Sequence, residues 1–178
     1  MNTFKDFKKG TAASAAAPVV MFPPVKGAVP VVTEYRVTGD HANARFTIYS
    51  GGKVANVKVS ASAQTVLGVT STTGFTAGDV VMLYRPSTGA SYWHTIDTVQ
   101  TGVSLTLLAN VGILTALGDQ VYRMDVVAVM PCGSATVINA GGPNGITTGN
   151  MNMPLAGAVI TGTSANVILM FAAAYIGV

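Results

Sequence analysis

The sequence predicts an all-β protein, a sandwich or barrel-like antiparallel domain preceded by an extended N-terminal arm. Three observations predict it. From Val31 onward apolar and polar residues alternate with a period of two, the signature of a half-buried strand. Strand-forming Val, Ile, Thr and Tyr dominate, and no long stripe of 3.6-residue period occurs. Glycine, proline and Asx turns punctuate the runs at short intervals. The domain organisation follows: residues 1–30 as the arm and 31–178 as the β domain, of which 131–178 is a charge-free strand segment.

Residues 1–30 read as an arm because Met1 to Gly10 is short and basic and Thr11 to Ala17 is nearly all Ala and Ser. Pro18, Pro23, Pro24 and Pro30 then oppose a regular helix or a central strand. A short helix through Phe4 and Phe7 is the only element allowed for. Lys5, Lys8 and Lys9 followed by Thr11 to Pro18 make a poor export leader, because the hydrophobic stretch is weak.

The first strands are Val31 to Val37, Arg45 to Tyr49, and Asn56 to Ala61, with Gly51-Gly52 as a hairpin turn between the last two. Richer strands follow at Val66 to Thr70, Asp79 to Arg85, Ser91 to Val99, Val103 to Leu108 and Gln120 to Met130. Val80 to Tyr84 is apolar on both faces, so that strand is central in a sheet or covered by a partner. Pro86-Ser87-Thr88-Gly89 is the turn that follows it. Two entrances echo each other: Phe75-Thr76-Ala77-Gly78-Asp79 and Leu114-Thr115-Ala116-Leu117-Gly118-Asp119. Glycine can take a positive φ and an aspartate can accept nearby N–H groups, so the expectation is that Asp79 and Asp119 are turn formers and not catalytic or metal-binding groups.

After Pro131 the turn signals are Gly141-Gly142-Pro143-Asn144-Gly145 and Gly149-Asn150, with strands at Ala135 to Ile138, Ala158 to Thr161 and Val167 to Ile176. In that last run neither face is polar. It must lie centrally in a sheet or at a subunit contact.

Composition narrows the function. The 178-residue chain is 49% hydrophobic and only 10% charged, against a usual charged share of roughly 25%. Eight of the ten basic residues and three of the seven acidic ones precede residue 61, and no charged residue follows Asp125. This is not the composition of a disordered chain. Exposed to water, the uncharged stretch would be adhesive. A membrane-spanning helix is disfavoured, because Thr161 to Ser164 and Asn166 interrupt Leu155 to Val178 and no basic anchor flanks it.

No chemistry-bearing motif appears. His94 and Asp97 fall on opposite faces of one strand, and His41 beside Asp40 lies in a polar turn. The lone Cys132 forms no internal disulfide and reads as a packed thiol. There is no nucleophile elbow, phosphate loop or dinucleotide fingerprint, so the expectation is no enzyme, no cofactor and no metal. The basic excess is modest, and Lys5, Lys8 and Lys9 sit in the arm and not on a folded face, which argues against specific nucleic-acid binding.

The run from Lys58 to Met124 combines the Gly74 to Asp79 entrance, the Tyr92-Trp93-His94-Thr95 strand, Ser104-Leu105-Thr106-Leu107 and Gly118 to Arg123. It resembles β-rich structural proteins of tailed-bacteriophage virions, as does the closing segment from Pro154-Leu155 to Tyr175. The resemblance implies a capsid decoration (cement), head-fibre or tail component with no catalytic residues, commonly a homo-oligomer and often a homotrimer, whose partners are the major capsid protein or other virion proteins. The reading drawn from it is a cement protein on the capsid surface, with an interface formed by Phe4, Phe7, Lys8 and Lys9 of the arm and Val167, Leu169, Phe171 and Tyr175 of the last strand. One rival reading is a host-recognition module of a fibre or tail tip in which Tyr84, Tyr92 and Trp93 stack on glycan. A second is a membrane-associated β-protein that places Val167 to Ile176 in lipid.

Overall fold

The computed structural model describes residues 3–11, 18–38, 45–60, 64–131, 136–138, 147–148, 151–159 and 168–177. Their regular elements are all strands: β1 (Thr3–Thr11), β2 (Val19–Phe22), β3 (Ala28–Thr38), β4 (Arg45–Asn56), β5 (Val66–Gly68), β6 (Val80–Arg85), β7 (Ala90–Gln100), β8 (Ser104–Leu107), β9 (Gln120–Pro131), β10 (Thr136–Ile138), β11 (Thr147–Thr148), β12 (Leu155–Val159) and β13 (Ile168–Gly177). Described ladders pair antiparallel, so the expected all-β class holds. The chain forms two compact units, Met1–Ser50 with Val126–Val178, and Gly51–Asp125. It crosses between them inside β4 and inside β9.

In the first unit, a five-stranded sheet runs in the order β1-β13-β3-β10, with β11 also on β3. β13 pairs with β1 from Thr3↔Ile176 to Thr11↔Ile168 and with β3 from Ile168↔Thr38 to Gly177↔Ala28. Both backbone edges of β13 are therefore taken, which is the central position its two apolar faces require. The segment read as an arm differs: Thr3–Thr11 is a strand, not a helix, and β2 and the start of β3 also belong to sheets. The prolines punctuate these strands instead of preventing them. Pro18, Pro23 and Pro24 lie between strands, and Pro30 sits near the start of β3, outside the stretch that β10 and β11 pair.

β12 lies between β2 and β4, with Leu155↔Ser50 through Val159↔Phe46 on the β4 side. Phe22, Phe46, Ile48 and Leu155 are fully buried there. Gly157 is glycine for lack of room, since a Cβ would strike the Phe46 ring. The entrance to β3 is tied to the turn before β12: the Gly27 N–H donates to Asn152 Oδ1 at 2.5 Å and the Asn152 N–H to the Ala28 carbonyl at 2.9 Å.

The second unit orders its strands β9-β6-β7-β8-β5, with β4 beside β9. β6 is central, as its two apolar faces predicted, between β7 and β9. Val81, Leu83, Val121 and Ile96 pack into one apolar cluster with Leu67 and Leu105. Met82 and Tyr84, which alternate with them, and Tyr122 opposite Met82 are buried as well. The Gly51-Gly52 hairpin does not form. β4 runs straight through both glycines, and Gly52 serves there as space, since a Cβ would strike the Asp125 carboxylate and the Arg123 guanidinium. The strand expected at Asn56 to Ala61 shrinks to a bridge between Val57 and Val69.

Candidate functional site

The two echoed entrances fold alike. The Asp79 Oδ2 accepts the Thr76 N–H at 2.7 Å and the Asp119 Oδ2 accepts the Ala116 N–H at 2.9 Å. Gly78 and Gly118 hold φ of 89° and 86°, values that cost a side-chain-bearing residue strain. Both aspartates thus serve as turn formers, and Asp119 does more. Arg85, opposite it at the end of β6, donates Nε to Oδ1 at 3.1 Å and Nη2 to Oδ2 at 2.8 Å, and Nη2 also reaches the Leu114 carbonyl at 2.5 Å. Burial pushes the Asp119 carboxyl up, but the hydrogen bonds from Arg85 and Ala116 and the Arg85 charge outweigh it and hold it below the ordinary range.

A second arginine acts in the same way at the other entrance. Arg123 forks onto Asp125, with Nε to Oδ1 and Nη2 to Oδ2 both at 2.9 Å, while Nη1 donates to the Gly74 carbonyl at 2.6 Å. Each clamp ties a loop to a strand: Arg85 holds the loop that enters β9, and Arg123 holds the loop that enters β6. These ion pairs escaped the sequence reading. For Arg123 and Asp125 a signal existed, since residues two apart on a strand share a face.

The loop from Leu108 to Asp119 combines this anchoring with an apolar exterior. Leu108, Leu114 and Leu117 stand 66%, 62% and 70% exposed, while Asp119 is 2% exposed. Both ends are fixed by backbone hydrogen bonds: Leu108 N–H to Thr95 O, Val57 N–H to Asp119 O, and Gly118 N–H to Val57 O. No charged residue lies between Asp97 and Asp119.

The residues singled out from sequence are distributed as follows. Phe4 sits opposite Tyr175, Lys8 opposite Phe171, Phe7 opposite Ala172 and Lys9 opposite Met170 on the β1–β13 ladder, with Leu169 opposite Gly10. The two segments expected to meet other subunits thus meet each other within one chain. Val167, His41, Asp40 and Cys132 lie outside the described residues. Tyr84, Tyr92 and Trp93 form no common platform. Tyr92 is opposite Leu83 and packs on the apolar cluster, whereas Trp93 is opposite Met82 on the other face, and Tyr84 is buried edge-on to Tyr122 at 6.4 Å between ring centres. Alternation along β6 and β7 causes the split.

His94 lies opposite Val81, on the face of the apolar cluster, and Asp97 is exposed beyond a register shift. Burial lowers the His94 pKa, and its Nε2 is buried without a hydrogen-bond partner. No group of three or more His, Cys, Asp or Glu able to hold a metal ion occurs among the described residues. No helix among them is long and apolar enough to cross a membrane.

No protein-family model matches the chain, and no curated protein matches it. Among solved structures, VP17, a capsid protein of bacteriophage P23-77, is similar to it at 14% identity over 100% of this chain and 99% of that one. The TM-score is 0.24, a level at which the likeness carries no argument about fold or function.

Proposed function

We propose that the chain is a structural protein of a virion, a capsid-decorating subunit that works by adhesion as a homo-oligomer and not by catalysis. The observation that carries this reading is an inversion within a few residues of one loop: the Asp119 carboxylate is buried on Arg85 while Leu117 stands 70% exposed. Ionic groups that could do chemistry in solvent are used to fix loops, and apolar side chains are offered outward on the loop so fixed. A pre-organised apolar surface loses little entropy on contact, and many such contacts around a shell add through avidity. The resemblance of Lys58 to Met124 to virion structural proteins supplies the setting.

Immuno-electron microscopy with an antibody against the purified chain tests the proposal on phage particles from a producing culture. Regularly spaced label on the heads is expected, together with earlier heat disruption of particles that lack the chain. Label confined to tail tips, or protein found only in the particle-free fraction, would overturn it.

A further inference from the structure

We infer that the segment from Leu108 to Asp119 is a strap across the mouth of a closed barrel, gripped by Arg85, and that it lifts as a local unit while the barrel wall stays intact. The inference concerns the second unit alone and stands apart from the virion reading. Val57, just beyond β4, donates its N–H to the Asp119 carbonyl and accepts the Gly118 N–H ahead of β9, and it also bridges Val69 just beyond β5. The Lys58 N–H to the Gly68 carbonyl and the Thr70 N–H to the Asn56 carbonyl, both at 2.9 Å, complete that seam. The wall of β4, β9, β6, β7, β8 and β5 thus closes on itself around the apolar cluster.

In that ring β8 and β9 are opposite staves, separated by β7 and β6 on one side and by β5 and β4 on the other, so the chain between them has to cross the mouth. The Leu108 N–H on the Thr95 carbonyl pins one end, and the contacts of Gly118 and Asp119 with Val57 pin the other. In between, Val111 drops into the apolar cluster at 3% exposure and Thr115 is fully buried, while Leu114 and Leu117 stay in water. The wall strands and their seam lie outside residues 109–117, so lifting the strap leaves the ladders of the wall in place. It uncovers Val111 and Thr115 where global unfolding uncovers the whole cluster, and the smaller loss makes it the lower-energy opening. Arg85, at the end of β6, supplies the grip: its Nη2 donates to the Leu114 carbonyl and to Asp119 Oδ2, the oxygen that also takes the Ala116 N–H. Release adds the barrel mouth to the apolar surface that the leucines already present.

Thiol labelling of the full chain in a Cys132→Ala background tests the strap. Val111→Cys places a reporter on it, Thr115→Cys a second, and Leu83→Cys one on the wall. Both strap thiols should react with a disulfide-exchange reagent in native buffer at a rate that low urea barely changes. The Leu83→Cys thiol should react far more slowly, by global unfolding, at a rate that climbs steeply with urea. Arg85→Lys should speed the strap reporters about tenfold, the scale of a lost hydrogen bond to a charged group. Gly52→Ala, at the end of the barrel where the chain enters, should speed the wall reporter and leave the strap reporters unchanged. One shared rate and urea dependence for strap and wall, an equal effect of Gly52→Ala on all three reporters, or strap labelling indifferent to Arg85→Lys would each overturn the inference. None of these outcomes depends on whether the chain labels capsids, so the two readings fail separately.

Discussion

Arg85 and Asp119 face each other across β6 and the entrance to β9 in a two-pronged contact, 3.1 Å from Nε to Oδ1 and 2.8 Å from Nη2 to Oδ2. The aspartate side chain is 3% exposed, so little solvent screens the pair. Asp119→Ala removes the guanidinium's partner and the acceptor for the Ala116 N–H together. A loss of about 3 kcal/mol is expected, the scale for breaking a buried ion pair, measured by urea unfolding. Arg85→Lys should lose a smaller part of that stability, because an ammonium keeps the charge but cannot reproduce the fork.

Gly52 makes a sharper test of the second clamp. A methyl there meets the Asp125 carboxylate and the Arg123 guanidinium, so Gly52→Ala should cost about 1–3 kcal/mol as overpacking. In an Asp125→Ala background the obstructing carboxylate is gone, and the cost should shrink in a double-mutant cycle by chemical denaturation. Equal costs in both backgrounds would show that backbone conformation, and not the carboxylate, requires the glycine.

Acid sensitivity follows from two groups. The His94 pKa lies below its ordinary 6.5 in the fold, so the unfolded chain binds the proton first and stability falls as pH drops below that value. Asp119 lies below its ordinary 3.8, so its contribution is complete above that value and is lost as pH falls through the lowered pKa. Unfolding free energies at about pH 7 and about pH 5 isolate His94. His94→Leu should narrow the difference between them.

At the alkaline end, burial and the neighbouring Tyr84 push Tyr122 up to about 12, and its hydroxyl donates to Gln120 Oε1 at 2.7 Å. The folded state therefore favours the neutral phenol, and stability is lost as pH rises from the ordinary 10.0 toward that value. Burial also raises the Tyr49 phenol, so ultraviolet titration should show late-ionising tyrosine absorbance that Tyr122→Phe reduces without abolishing.

Removing residues 1–11 strips β1 from β13 and exposes a long backbone edge that carries no charged residue. Such an edge templates aggregation. Light scattering should record large aggregates where the full chain gives a defined oligomer, and a truncated chain that stays dispersed would count against the pairing.

Much of this architecture was legible because strand identity is a local property. Alternation marked most strands, the two apolar faces of Val80 to Tyr84 and of the last run announced interior positions, and the repeated Gly-Asp pairs announced turns. What approaches a strand from far along the chain leaves no such trace. Thr3–Thr11 looked like a loose arm because its partner begins at Ile168. Gly51-Gly52 looked like a turn because Asp125, which fills the space beside Gly52, lies more than seventy residues away. The split of Tyr92 and Trp93, by contrast, was already written in the strand's alternation, and pairing added only that Tyr92 faces Leu83 and Trp93 faces Met82.

By itself the sequence determined an antiparallel all-β chain, poor in charge, with turn-forming aspartates. Only the tertiary structure decided which aspartate is buried on an arginine and which leucines stay in water. Side-chain periodicity is written residue by residue, whereas burial depends on which distant segment comes to cover a surface, and among the described residues Leu108, Leu114 and Leu117 are leucines left uncovered.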